Sequence, residues 1–219
     1  MEKPKVYISE RVQRLYALHQ QAIQIKEDTT VKDQLTAFAD TIFTAWKTRD
    51  PICEGQINNW HPKFKGKSAE AIFNMPFTLA DARLSIAKDC GFKDWATMET
   101  QDPIKFNLAF EKAVDTLLNG DLADLKIQIA TQPELLTERS RYGHQATLLH
   151  YAGSNGVEMW RQKTPYNLPA IVQFLLEAGA DKEATMPVYG GQYTTWEMVV
   201  TSAHPHAAGV VAELKDLLI

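Results

Sequence analysis

The chain has 219 residues, 45% of them hydrophobic and 23% charged, and a net charge of −4. That length and balance suit one large core or two small ones, and the lack of a dominant Lys/Arg block argues against nucleic acid as a partner. No apolar run reaches the roughly 18 residues of a membrane span. The opening Met1-Glu2-Lys3-Pro4-Lys5-Val6-Tyr7 lacks the apolar core of a secretory signal. Cys53 and Cys90 lie too far apart to read as a disulfide framework or a zinc site. A reducing, cytoplasmic setting is expected, with no membrane contact.

Helical periodicity runs through most of the chain. Ser9 is expected to cap a first helix with Val12, Leu15, Tyr16, His19 and Ile23 on one face, ending at Asp28-Thr29-Thr30. Leu35, Phe38, Ala39, Ile42, Phe43 and Trp46 mark a second, which Arg49-Asp50-Pro51 ends. Pro51 opens a third, to about Asn59, and His61-Pro62 and Gly66 then break the pattern. Thr78 and Asp81 form a capping signature for the next helix, which Gly91 terminates. Asp94 is expected to cap a short helix with Trp95 and Met98. Pro103 is expected to open a long one with Phe106, Phe110, Ala113, Val114 and Leu117 inward. Asp50 and Pro62, 12 residues apart, are echoed by Asp121 and Pro133 at the same separation, suggesting two degenerate helix pairs.

The most informative stretch is 147–181. It opens Thr147-Leu148-Leu149-His150-Tyr151-Ala152, carries Asn155-Gly156, and closes Leu175-Leu176-Glu177-Ala178-Gly179-Ala180-Asp181. The opening resembles the T-P-L-H-x-A signature of an ankyrin repeat, and the close resembles that repeat's ending. Asn119-Gly120-Asp121-Leu122 resembles the turn of a preceding unit. Tyr189 to Trp196 resembles the start of a following one, with Thr194 matching Thr147 and Glu197 at the histidine position. The segment Thr78 to Trp95 is similar to the helical region that precedes repeats in one group of bacterial ankyrin proteins.

The resemblance implies an all-α fold: an ankyrin-like helical solenoid with a helical N-terminal half. The division expected is a helical region over 1–102 and about three ankyrin-like units over 103–219. Thr147, His150, Gly156, Gly179 and Asp181 would then be scaffold, with His150 hydrogen-bonding neighbouring backbone. The first helix would pack as a cap, because an open solenoid end leaves apolar surface in water. Leu217-Leu218-Ile219 raises the same problem at the other end: that surface is either covered or a contact face.

Thr147 and Gly179 are 32 positions apart, where an ordinary repeat of about 33 residues in all takes about 21. The surplus falls at 157–167, between the two helices of the unit, and a shorter surplus lies around His204-Pro205-His206. Inserts collect on one face of a stack, so the two are expected to be neighbours. Trp160 and Tyr166 offer rigid amphipathic area and Arg161 a planar fork. With Gln162, Asn167, Tyr189, Tyr193 and His204 they are the candidate partner-binding residues, Trp160 having the alternative of folding back onto the body. Metal binding by His144, His150, His204 and His206, and a Ser202 nucleophile, are both disfavoured. The expectation is a non-catalytic binding module for a protein or peptide, without metal or cofactor. The alternative is a small-molecule or enzymatic pocket, which an inward-pointing Arg161, His144 or His204 would favour.

Overall fold

The computed structural model describes residues 5–100 and 102–219. The start of the segment read above for a secretory signal, residues 1–4, lies outside them. Helices make up 57% of the chain and, among the described residues, the sheets are two small ones, so the fold is largely helical rather than strictly all-α. Among the described residues no helix is long and apolar enough to cross a membrane. Contacts divide the chain into two compact units.

One unit comprises residues 10–106 with 141–143. Its first helix, α1 (Glu10–Leu18), stops well before the expected end. His19 is buried just past that end, its Nε2 2.8 Å from Gln56 Oε1, and Gln56 donates in turn to Asp89 (2.6 Å). Periodicity cannot register this tertiary polar chain, which fixes the backbone where the helix stops. Thr30, read above as part of a terminator, instead starts α2 (Val31–Lys47). Its hydroxyl accepts from Asp33 N while Asp33 accepts from Thr30 N, a reciprocal capping box. Pro51 opens a 3-10 turn over Pro51–Cys53 that runs into α3 (Glu54–Trp60).

The chain breaks at His61-Pro62 and Gly66 as expected, and a short α4 (Ala69–Asn74), capped by Ser68, follows where no helix was read. Thr78 and Asp81 cap α5 (Leu79–Asp89) as their spacing dictates, and Gly91 follows with a φ of 81°. Asp94 accepts from Thr97 N to start α6 (Trp95–Glu99). The core lies where α5 packs on α2 and α3. Tyr142 belongs here too: its hydroxyl donates to Gln34 and its ring lies 5.3 Å from that of Phe106.

The other unit comprises residues 5–9, 107–140 and 144–219. Its first helix, α7 (Leu108–Leu118), starts after Asn107 and not at Pro103. Asn107 Oδ1 accepts from Ala109 N (3.1 Å) and Phe110 N (3.3 Å), satisfying donors that no helical carbonyl can reach. Asp121 caps α8 (Leu122–Thr131), which packs antiparallel to α7 across a tight turn. A 3-10 turn over Leu149–Gly153, ended by left-handed Ser154 (φ 47°), stands where a full helix was expected. The outer helix α9 (Leu168–Glu177) packs against it. Next come α10 (Thr195–Thr201), α11 (Ala203–Ala208) and α12 (Val211–Leu218). Leu117, Leu125, Leu149, Tyr151, Leu168, Val172, Met198 and Leu214 share one core.

Both two-stranded sheets are in this unit. β1 (Val6–Tyr7) pairs antiparallel with β2 (Thr164–Pro165). β3 (Thr185–Val188) pairs with β4 (Gly191–Thr194), with Met186 opposite Tyr193 and Val188 opposite Gly191. The hairpin turn is Tyr189-Gly190, both at positive φ (53° and 83°), the pattern of a type I′ turn.

Candidate binding surface

Thr147 and His150 form a closed clasp. His150 Nδ1 accepts from Thr147 N (3.1 Å) and lies 2.7 Å from Thr147 Oγ1. A backbone N–H can only donate, so Nδ1 is the acceptor and Nε2 carries the proton. Burial pushes the imidazole pKa down to about 4, against a smaller opposing effect of the backbone of Ala184 and Tyr193. Glu197 does the same for Thr194: its Oε2 accepts from Thr194 N (2.8 Å) and Oγ1 (3.0 Å). The departure from histidine therefore keeps the geometry. Gly156 holds a φ of 69°, and a Cβ there would meet Met186 Cε at 2.7 Å. Gly179 (φ 105°) follows the end of α9, and Asp181 accepts from Glu183 N.

The insert is folded down rather than projecting. Trp160 is 4% exposed and Arg161 5%. This corrects the reading of Arg161 as a surface fork and gives Trp160 its alternative role inside. Glu111 and Asp115, four apart on one face of α7, supply the reason. Arg161 Nη1 donates to Glu111 Oε2 at 2.6 Å, and Nε and Nη2 reach Asp115 Oδ1 at 3.3 and 3.2 Å. Arg161 also meets Glu158 at 3.4 Å, and Glu158 accepts from Tyr151 OH (3.2 Å) and faces His144 Nε2 at 3.6 Å. A guanidinium this deep must be paired, and three carboxylates pair it.

Burial raises the Glu111 carboxyl, and Glu158 and Asp115 add to that against the pull of Arg161. Burial would raise Glu158 as well, but His144 and Arg161 outweigh it and hold that carboxyl low. The two acids share Arg161 and shift in opposite directions because only Glu158 also faces the imidazole. Arg161 and His144 point inward, as a ligand pocket would need, but protein carboxylates occupy the places a ligand's would take.

Polar contacts pin the rest of the loop. Ser154 Oγ donates to Lys163 O (2.8 Å), Gln162 donates to Val157 O (2.9 Å), and Asn167 donates to Gly120 O (2.9 Å). Lys163 reaches Asn119 Oδ1 at 2.9 Å. Ser202 Oγ donates to Ser154 O and accepts from His204 N, so it caps α11 instead of facing an imidazole. Among the described residues no group of His, Cys, Asp and Glu is placed to hold a metal ion.

The candidate residues left at or near the surface fall into two places. At the hairpin end, Tyr189 is 55% exposed and its hydroxyl donates to Asn155 Oδ1 (2.7 Å), while Asn155 donates to Thr201. Tyr193 is half-buried against the core, with Gly191 under its ring. At the strand end, Tyr166 (46% exposed) and Asn167 flank β2. There α11 packs on β1 and β2, so the two inserts are neighbours, and His204 on α11 faces Tyr7 (ring centroids 6.1 Å apart). Burial lowers the His204 pKa. Tyr7 and Asn155 were not anticipated as site residues, though the β-branched and aromatic run Val6-Tyr7-Ile8 carried a strand signal.

No family model matches the chain, and no curated protein or solved structure is significantly similar to it.

Proposed function

We propose that residues 107–219 form a non-catalytic, ankyrin-like binding module for a protein or peptide, carried with a helical N-terminal region. One observation carries the reading. A threonine followed three residues later by a side chain accepting from both its N–H and its hydroxyl starts an inner element at Thr147/His150 and at Thr194/Glu197; the same box caps α2 and α5, so the reading rests on the box together with the stacked outer helix that follows it. The two inner elements are each followed by an outer helix, α9 and α12, and these pack on one another. Stacked units of this kind present preformed surface, so binding costs little ordering.

The binding residues on this reading are the exposed Tyr166, Asn167 and Tyr189, with Gln162, Tyr193 and His204 at their margins. Tyrosines combine large contact area with little conformational entropy to lose. The reducing, cytoplasmic setting accords with two free thiols, Cys53 and Cys90, both buried. Affinity capture with the wild-type chain and with a Tyr166→Ser/Tyr189→Ser chain tests the module. The double variant is expected to lose the proteins that the wild type enriches. Equal enrichment by the two baits, both melting cooperatively, would sink the assignment.

A further inference from the structure

The pairing of β1 with β2 has a polarity that matters. Tyr166 N donates to Lys5 O at 3.1 Å, and the register continues Val6–Pro165 and Tyr7–Thr164. In an antiparallel ladder, hydrogen-bonded and non-hydrogen-bonded pairs alternate. Lys5–Tyr166 is bonded, so Val6–Pro165 is not and Tyr7–Thr164 is. Pro165, which has no N–H, therefore sits at the one position where β2 needs none on this side. Toward β1, β2 offers the amides of Thr164 and Tyr166.

The acceptor strand is anchored from behind. Thr164 is fully buried, its hydroxyl 3.1 Å from Ser154 Oγ. α11 walls the site and sets His204 against Tyr7. The occupant is held differently. Beyond Ser9 the chain leaves this unit and re-enters it only at Asn107; β1 itself is two residues long and its side chains are half-buried. A two-stranded pairing of this length is marginal by itself.

We infer that the edge of β2, walled by α11, is an acceptor for an extended peptide with a β-branched residue followed by an aromatic one, and that residues 5–8 are its resident, exchangeable occupant. This is strand addition, in which main-chain hydrogen bonds give affinity and alternate side chains give selectivity. The inference rests on the module reading above and names its partner class. In cis the arm is present at an effective concentration on the order of millimolar, so a free peptide competes poorly unless the arm is weakened.

The test uses the full-length chain, wild type and Tyr7→Pro, with a fluorescent peptide of residues 3–9. Proline at position 7 removes the amide that faces Thr164. The variant is expected to bind the peptide saturably and at least about tenfold more tightly than the wild type. Methylating the peptide's Tyr7 nitrogen should abolish binding, whereas methylating its Val6 nitrogen, which faces away, should preserve it. Absence of saturable binding to a cooperatively melting Tyr7→Pro chain, or equal binding of the two methylated peptides, overturns the acceptor.

If that variant does not fold, amide exchange in the wild type decides. Thr164 and Tyr7 should open together, faster than Val114 of the core, and equal protection overturns the proposal. Loss of peptide binding with partner capture intact rejects the acceptor and leaves the module standing. Loss of capture selectivity with the peptide still bound does the reverse.

Discussion

Arg161 and Glu111 are 50 positions apart in sequence and meet at 2.6 Å inside the fold. The contact ties the insert to the first helix of its unit, with Asp115 and Glu158 completing the charge balance around the guanidinium. A buried pair adds little net stability, but removing one partner strands the other. Arg161→Ala is therefore expected to destabilise by about 3–5 kcal/mol in urea titration. Glu111→Gln keeps an acceptor oxygen for the guanidinium and leaves Asp115 and Glu158 in place, so it should cost less, about 1–3 kcal/mol. A loss below about 1 kcal/mol for Arg161→Ala would contradict the clasp.

Trp160 and Tyr166 lie six residues apart in the insert and occupy opposite environments. Trp160→Ala should cost about 3–5 kcal/mol through lost burial and the cavity left behind. Tyr166→Ala should stay within about 0.5 kcal/mol of wild type while weakening partner capture. Equal melting of the two variants would mean that the insert is not seated as described.

His150→Ala removes the acceptor for two Thr147 donors and should cost roughly 1–3 kcal/mol. His150 and His19 also make stability depend on pH. Burial lowers each folded pKa to about 4, against about 6.5 in the unfolded chain. Between those values the unfolded state binds more protons, so stability falls as pH drops from about 6.5 to 4 and levels off below. Each group contributes at most roughly 3 kcal/mol. Denaturation midpoints at pH 7 and pH 4.5, with and without His150→Ala, measure this; a pH dependence unchanged in the variant would exclude His150 as a source.

Tyr189 adopts a φ of 53°, a conformation that suits asparagine or glycine and strains a bulky side chain. Tyr189→Asn should relieve roughly 1 kcal/mol of strain and lose an exposed hydrogen bond to Asn155 worth less than that. The variant is expected to melt slightly above wild type yet capture less partner. A lower melting temperature would show that the Tyr189 hydroxyl outweighs the backbone cost.

Much was legible where the cause is local. Thr78 with Asp81, Asp94, Gly91, Thr147 with His150 and the closing Gly179 act within a few residues of themselves, and each does what its spacing dictates. Capping competed with other local signals and won at two places: Thr30 and Asn107 start helices where a terminator and Pro103 had been read, because free N–H groups at a helix start need an acceptor. The β1–β2 pair was not legible, since its partners lie 157 positions apart at Tyr7–Thr164 and 159 at Val6–Pro165; the β3–β4 hairpin, although local, was missed as well.

By itself the sequence determined the helical periodicity, most of the caps and a structural role for His150, and it singled out residues 157–167 for their aromatic and arginine content. Only the tertiary structure decided which side of that insert faces water. Trp160 and Arg161 have the composition of a recognition loop, but Glu111 and Asp115 on α7 offered the arginine a better partner than solvent. Burying a charge is costly unless its counter-charges are already in place, and no reading of residues 157–167 alone could know that they were.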